Sequence, residues 1–355
     1  MTNVQINQIV TGVPRHDIHV TYLQFARTLL ADTRALVLFE RMAAKAQIEH
    51  RYSVLAPATS PDARSVDGDE VYMRGAFPPI SRRMQLFERH APQLAVETVA
   101  KLNLGAAAER ITHVIVTTCT GMYAPGLDLE LVQQCDLRPE VERTMVGFMG
   151  CHAAITGLRL AHHIVRSEPA SRVLLVNLEL CTLHLQHTTN IERMLSFLLF
   201  GDGCSASLIS ADPVGLTIDR FNTTVIPGTR DLITWKVRDQ GFDMFLSGRV
   251  PANICAGLQV VADAILDDAS AKQLELWAVH PGGRSILDAV ERGLALEPTT
   301  LAASRRVLAG YGNMSSATVM FVLESLLATS TPGQRGCAMA FGPGLSAETM
   351  FFHKL

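Results

Sequence analysis

Short runs of apolar and β-branched residues, separated by longer stretches with helical spacing, do most to limit what this chain can become. Val114-Ile115-Val116, Arg172-Val173-Leu174-Leu175-Val176, Leu276-Trp277-Ala278-Val279 and Cys337-Ala338-Met339-Ala340-Phe341 each read as a strand. Between them, Ile155, Leu158, Ala161 and Val165 recur at three-to-four spacing within 153–165, and residues 317–327 show a similar apolar periodicity. Strand, turn and helix in alternation predict an α/β fold.

The alternation has an internal echo. In the first part a strand ends at Thr118-Cys119-Thr120-Gly121 and Gly150-Cys151 opens a helix; in the second a strand ends at His280-Pro281-Gly282-Gly283 and Gly312-Asn313 opens another. The echo divides the chain near Pro213 into residues 1–213 and 214–355, two related halves, although any α/β chain repeats these units to some degree. No low-complexity linker separates the halves, so they are expected to share one body.

Of the 355 residues, 48% are hydrophobic and 18% charged, enough to bury a large core or two fused ones. A net charge of −3 without a basic run argues against a nucleic-acid surface and leaves local Lys and Arg sites to hold anionic ligands. No stretch reaches the roughly 18 apolar residues of a membrane span, and MTNVQINQIV lacks a signal peptide's pattern, so the expected location is the cytoplasm. The seven cysteines lack C-x-x-C spacing and are odd in number, which makes a disulfide framework or a zinc site unexpected. A functional cysteine must then be set apart by its surroundings, and one is.

Cys151 lies in Phe148-Met149-Gly150-Cys151-His152-Ala153-Ala154, a Gly-containing turn leading into an apolar helix. A helix N-terminus offers free N–H groups and partial positive charge, which favour a thiolate nucleophile; a buried structural cysteine fits the same local sequence. His280 stands where an apolar strand meets a Pro-Gly-Gly turn. The carboxyl end of such a strand is where open α/β sheets place ligands, and a neutral imidazole there can accept a thiol proton. Asn313, in Gly310-Tyr311-Gly312-Asn313-Met314-Ser315-Ser316, reads either as a helix cap or as an amide donor to a developing oxyanion. Arg41 and Lys45, one helical turn apart in Phe39-Glu40-Arg41-Met42-Ala43-Ala44-Lys45, suit a phosphate clamp or a solvated helix face. Phe341-Gly342-Pro343-Gly344 reads as a tight turn after a strand.

Taken in order, Gly150-Cys151, Phe200-Gly201-Asp202-Gly203, His280-Pro281-Gly282-Gly283, Tyr311-Gly312-Asn313-Met314-Ser315-Ser316 and Phe341-Gly342-Pro343-Gly344 resemble the type III polyketide synthases, the family of chalcone and stilbene synthases and their bacterial relatives. The likeness covers nearly the whole chain. It implies a thiolase-like fold, layered αβαβα with two pseudo-symmetric halves, and a homodimer. It implies a Cys-His-Asn triad: Cys151 takes the acyl starter, while His280 and Asn313 stabilise the thioester oxygen and assist decarboxylation of malonyl-CoA. No metal and no cofactor are implied, since the CoA thioesters are substrates.

The same comparison places Phe200 at one of two gating phenylalanines and Met244 where the second would stand. Cys119, Cys181, His184 and Trp235 replace smaller or hydroxylated cavity residues of the plant enzymes, and Ser315 matches. Ala124 replaces a methionine that reaches into the partner's cavity. Arg41 and Lys45 match CoA-contacting positions, whereas Leu38 occupies the place of a third cation. These departures resemble bacterial synthases that take aliphatic acyl starters, long-chain ones included, and release alkylresorcinols or alkylpyrones. The competing readings are a ketoacyl-carrier-protein synthase of fatty-acid initiation, which shares the triad but follows its histidine with Gln-Ala-Asn, and a catalytically silent partner subunit with the same fold.

Overall fold

All four apolar runs form strands in the computed structural model, which describes residues 2–30, 32–60, 64–266 and 273–355. In chain order the strands are β1 (Val4–Gly12), β2 (His16–Asp17), β3 (Tyr52–Ser53), β4 (His113–Thr118), β5 (Glu142–Gly147), β6 (Val173–Leu180) and β7 (Asp202–Ser210). There follow β8 (Leu216–Val225), β9 (Ile233–Arg238), β10 (Gly241–Leu246), β11 (Leu276–Val279), β12 (Arg335–Gly342) and β13 (Ser346–Lys354). Nine of them make one sheet in the order β11-β12-β13-β8-β1-β7-β6-β4-β5, while β9 and β10 pair as a separate hairpin.

The strands sort by half, and the two sets repeat one pattern. In the first, β4 and β6 run parallel, then β7 and β1 follow antiparallel; in the second, β11 and β12 run parallel, then β13 and β8 follow antiparallel. The sets join where Val4, Gln5 and Ile6 pair with Ile218, Thr217 and Leu216.

Alternation along each strand separates three cores. Ile115, Leu175, Ala278 and Ala340 point to a central layer containing helices Ala153–Ser167 and Thr318–Thr329. Val114, Val116, Leu174 and Val176 point the other way, against helices Ile80–Ala100 and Leu127–Gln134. Trp277, Val279, Cys337 and Met339 face helices Val250–Leu266 and Arg284–Gly293. A path through the molecule therefore crosses helix, sheet, helix pair, sheet and helix. Both central helices begin one turn later than their motifs suggest, because Gly150–His152 and Ser315–Ala317 form 3₁₀ turns ahead of them. Among the described residues no helix is long and apolar enough to cross a membrane.

Candidate active site

The turn that carries Cys151 is closed from above by the end of the chain. Gly150 has φ +73°, and a Cβ added there would lie 2.2 Å from Pro343 Cδ; one added at Gly342 would lie 2.1 Å from His152 Cδ2. Phe341-Gly342-Pro343-Gly344 is thus more than a turn: it packs on Gly150 and His152, the residues on either side of Cys151, where no added side chain fits. The Gly150 N–H donates to Cys119 Sγ at 3.0 Å, which ties the turn to the end of β4.

Cys151 opens into a small, mostly apolar chamber of about 70 Å³. The first half contributes Cys119, Cys151, Cys181 and Phe200, and the second contributes Trp235, Met244, His280, Asn313 and Ser315. Phe200 and Asn313 form a parallel backbone bridge, with Gly201 N–H donating to Asn313 O (3.0 Å) and Asn313 N–H to Leu199 O (2.8 Å), so the halves are stitched together beside the chamber.

Asn313 Oδ1 accepts the Ser315 N–H at 2.8 Å, an Asx turn just ahead of the 3₁₀ turn rather than a helix cap, and this fixes the amide so that Nδ2 is its outer end. Nδ2 reaches Gly282 O at a long 3.3 Å and retains a second hydrogen for the chamber. His280 is 2% exposed, and neither ring nitrogen has a hydrogen-bond partner. An unpaired buried imidazole is costly unless something else is meant to occupy the space in front of it.

Residues 7–213 match the description of the N-terminal domain of chalcone and stilbene synthases, and residues 218–355 match that of the C-terminal domain. The chain belongs to the chalcone and stilbene synthase family. It is similar to the "alpha-pyrone synthesis polyketide synthase-like Pks18" of Mycobacterium tuberculosis, 35% identical over 287 residues that cover 77% of this chain and 73% of that protein. It is equally similar to the bisdemethoxycurcumin synthase of Oryza sativa subsp. japonica, 35% identical over 299 residues covering 78% and 74%. Among solved structures, PKS-I of the brown alga Ectocarpus siliculosus superposes with a TM-score of 0.89 at 29% identity, covering 100% of this chain and 99% of that one. The type III polyketide synthase of Streptomyces coelicolor that makes 1,3,6,8-tetrahydroxynaphthalene superposes with 0.86 at 26% identity, over 99% of each chain. The fold is thiolase-like, and the protein is a type III polyketide synthase, an acyltransferase that condenses acyl thioesters.

The electrostatics of the synthase's chamber correct one expectation. Burial pushes the Cys151 thiol up to about 12, outweighing the Ser315 and Asn313 contacts that lower it, and burial drives His280 down to about 3. Burial thus disfavours both charged forms, the thiolate and the imidazolium, and a helix N-terminus alone does not overcome desolvation here.

His184 and Ala124 lie outside this chamber. His184 is fully buried behind the wall: its Nε2 pairs with Thr120 O (2.6 Å), its Nδ1 with Phe242 N–H (3.2 Å), and its ring stacks on Phe242 at 4.2 Å. Those bonds make Nε2 the protonated nitrogen. Trp235 leans edge-on against this stack and donates Nε1–H to Cys119 O at 2.8 Å, so the wall facing Cys151 is pinned rather than loose. Ala124 is exposed on the loop after β4. Of the two helix cations, Lys45 lines an outer vestibule of about 420 Å³, and Arg41 is exposed beside it. The vestibule meets the inner chamber at Leu246, Val250, Gly282 and Ile286.

Sequence reasoning missed Glu179. It is fully buried at the end of β6, and its carboxylate accepts from Ser316 Oγ (2.6 Å), Thr120 Oγ1 (2.8 Å) and Cys119 N–H (2.9 Å). Burial raises its pKa to about 7 in spite of these donors. The signal was available: one acid in the apolar run Val173–Leu180 has to be paired or protonated.

These shifts predict acid sensitivity. Burial is the leading cause that lowers His19 and His162 to about 4, and His184 and His280 to about 3. Unfolded histidines bind protons near 6.5, so stability is intact above that pH and falls as pH drops toward the folded values. Glu179, Asp202 and Glu324, whose carboxyls burial raises, act in the opposite sense and favour the folded state as pH falls, but they are three groups against six histidines that burial lowers, His90 and His152 included. The melting temperature is expected to decline between pH 6.5 and 4. A midpoint that holds or climbs across that interval in a pH series of calorimetric scans would contradict it.

Proposed function

We propose that this synthase loads an aliphatic acyl-CoA starter on Cys151, extends it with malonyl-CoA and releases an alkylpyrone- or alkylresorcinol-type product. His280 takes the thiol proton, and the thiolate attacks the starter carbonyl; CoA leaves as its thiol and the acyl group remains on sulfur. Malonyl-CoA then enters with its thioester oxygen toward His280 and the Asn313 Nδ2, donors positioned for the enolate charge that develops as carbon dioxide departs. The enolate carbon attacks the acyl-Cys151 thioester, and the lengthened chain returns to Cys151 for the next cycle. An apolar chamber favours this order of events, because water would protonate the enolate.

The observation that carries the reading is the buried His280 ring with both nitrogens unpaired, facing the same space as Cys151 and the outer end of the Asn313 amide. The pyrone outcome draws support from the 35% identical relative whose name states alpha-pyrone synthesis. The pinned Trp235 sets the depth available to the acyl chain, with Met244 as the adaptable part of the lining. The seven free cysteines accord with work in the reducing cytoplasm. A second copy has an obvious seat at the open sheet edge, where β5 is largely exposed together with Met122, Met145 and Met149 near the Ala124 loop.

Incubation with malonyl-CoA and saturated acyl-CoAs of graded length, followed by mass spectrometry, tests the starter class. Pyrones or resorcinols carrying an intact alkyl chain are expected. Exclusive use of aromatic starters, or no condensation with any acyl-CoA, would defeat the proposal. In Trp235→Ala the preferred starter lengthens by several carbons and kcat/KM for the longer chains rises about tenfold or more, since each added methylene that finds cover contributes about 0.8 kcal/mol. An unchanged chain-length profile would remove Trp235 from its role.

A further inference from the structure

The vestibule carries a cation that the mechanism above leaves unused. Arg284 opens helix Arg284–Gly293 directly after Gly282 and Gly283, the lip over which the vestibule passes into the inner chamber. Its Nη1 donates across the mouth to Lys45 O at 3.4 Å, and its Nε stands 3.6 Å from Asp288 Oδ2. That carboxylate is already engaged, because Asp288 Oδ1 accepts from Arg305 at 2.7 Å, and a 3.6 Å contact is too long for a hydrogen bond. The Arg284 side chain is 40% exposed, so its guanidinium is held near the mouth and still faces solvent there.

On the opposite lip, helix Thr33–Ala46 presents Lys45 into the same vestibule, with the exposed Arg41 one turn earlier. Two carboxylates, Glu192 and Asp288, also line the mouth, and Glu192 is tied to Gly248 N–H at 3.0 Å. An incoming polyphosphate therefore needs more than one lysine to be attracted past them.

We propose that Arg284, from the second half, is a phosphate-binding cation of this synthase and closes with Lys45 on the phosphates of the CoA thioester. The inference rests on the reading that the substrates are CoA thioesters, and it adds where their charged end is held. A guanidinium offers the fork that phosphate oxygens match, and the turn at Gly282-Gly283 lets the pantetheine arm run from this clamp toward Cys151. The alternative role, a staple that satisfies the Lys45 carbonyl at a helix end, makes a different prediction.

The test compares malonyl-CoA with malonyl-N-acetylcysteamine, which has the same thioester and no phosphates. In Arg284→Ala and Arg284→Met, KM for malonyl-CoA is expected to rise about tenfold, near 1.4 kcal/mol, with kcat within about twofold. KM for malonyl-N-acetylcysteamine stays where it was. An equal rise for both thioesters makes Arg284 a staple and overturns the inference, as does an unchanged KM for malonyl-CoA. A wild-type chain that shows no preference for malonyl-CoA over malonyl-N-acetylcysteamine overturns the CoA reading itself, and that result is distinguishable because it requires no variant.

Discussion

Cys151→Ala is expected to fold like the native chain and to form no acyl-enzyme, with polyketide production falling to background. The side chain lost is small and sits at a chamber wall, so the melting temperature changes little, while the sulfur that interacts with Asn313 and shares the chamber with His280 is gone. Cys119 and Cys181 border the same space but cannot substitute. Cys119 sulfur accepts the Gly150 N–H, and neither thiol has the Ser315 and Asn313 contacts that partly offset burial at Cys151. Intact-protein mass spectrometry after exposure to acyl-CoA decides the matter, since a starter adduct on the variant would assign the nucleophile to another residue.

The second large effect belongs to His280→Gln, expected to slow decarboxylation of malonyl-CoA by roughly 10² to 10³. Glutamine keeps an N–H donor but cannot accept the thiol proton, so starter loading slows as well, and the adduct still accumulates given time. Asn313→Ala should leave loading nearly intact and reduce decarboxylation alone. Release of carbon dioxide measured separately from adduct formation distinguishes the two steps. If His280→Gln decarboxylates at the native rate, the imidazole has no part in the oxyanion site.

Much of this site was legible because the chemistry falls on residues that punctuate the secondary structure. Cys151, His280 and Asn313 each follow or precede a glycine turn at a strand or helix end, where both periodicity and motif are read easily. What the sequence left open were relations between distant segments. Nothing local to Phe341-Gly342-Pro343-Gly344 says that it covers Gly150, or that Asn313 pairs with Phe200 across the two halves. His184 was placed in the cavity by position alone, and its ring instead turns into the wall, because Thr120 O and Phe242 N–H offer it two hydrogen bonds there. The place of Cys151 before a helix favours a thiolate; burial in the chamber, invisible in one dimension, acts against it and raises the thiol. The pairing of Glu179 with Ser316 likewise spans both halves, so only the oddity of an acid in an apolar strand could have pointed to it.

The bridge between Phe200 and Asn313 bears on how such enzymes can be recombined. Cys151 and Phe200 travel with one half, while His280, Asn313 and Trp235 travel with the other, so exchanging a half between relatives replaces one side of the chamber and leaves its opposite intact. Hybrids that retain the local sequence at 199–201 and 312–314 keep the two sides in register, and their product range then reports which side measures the chain.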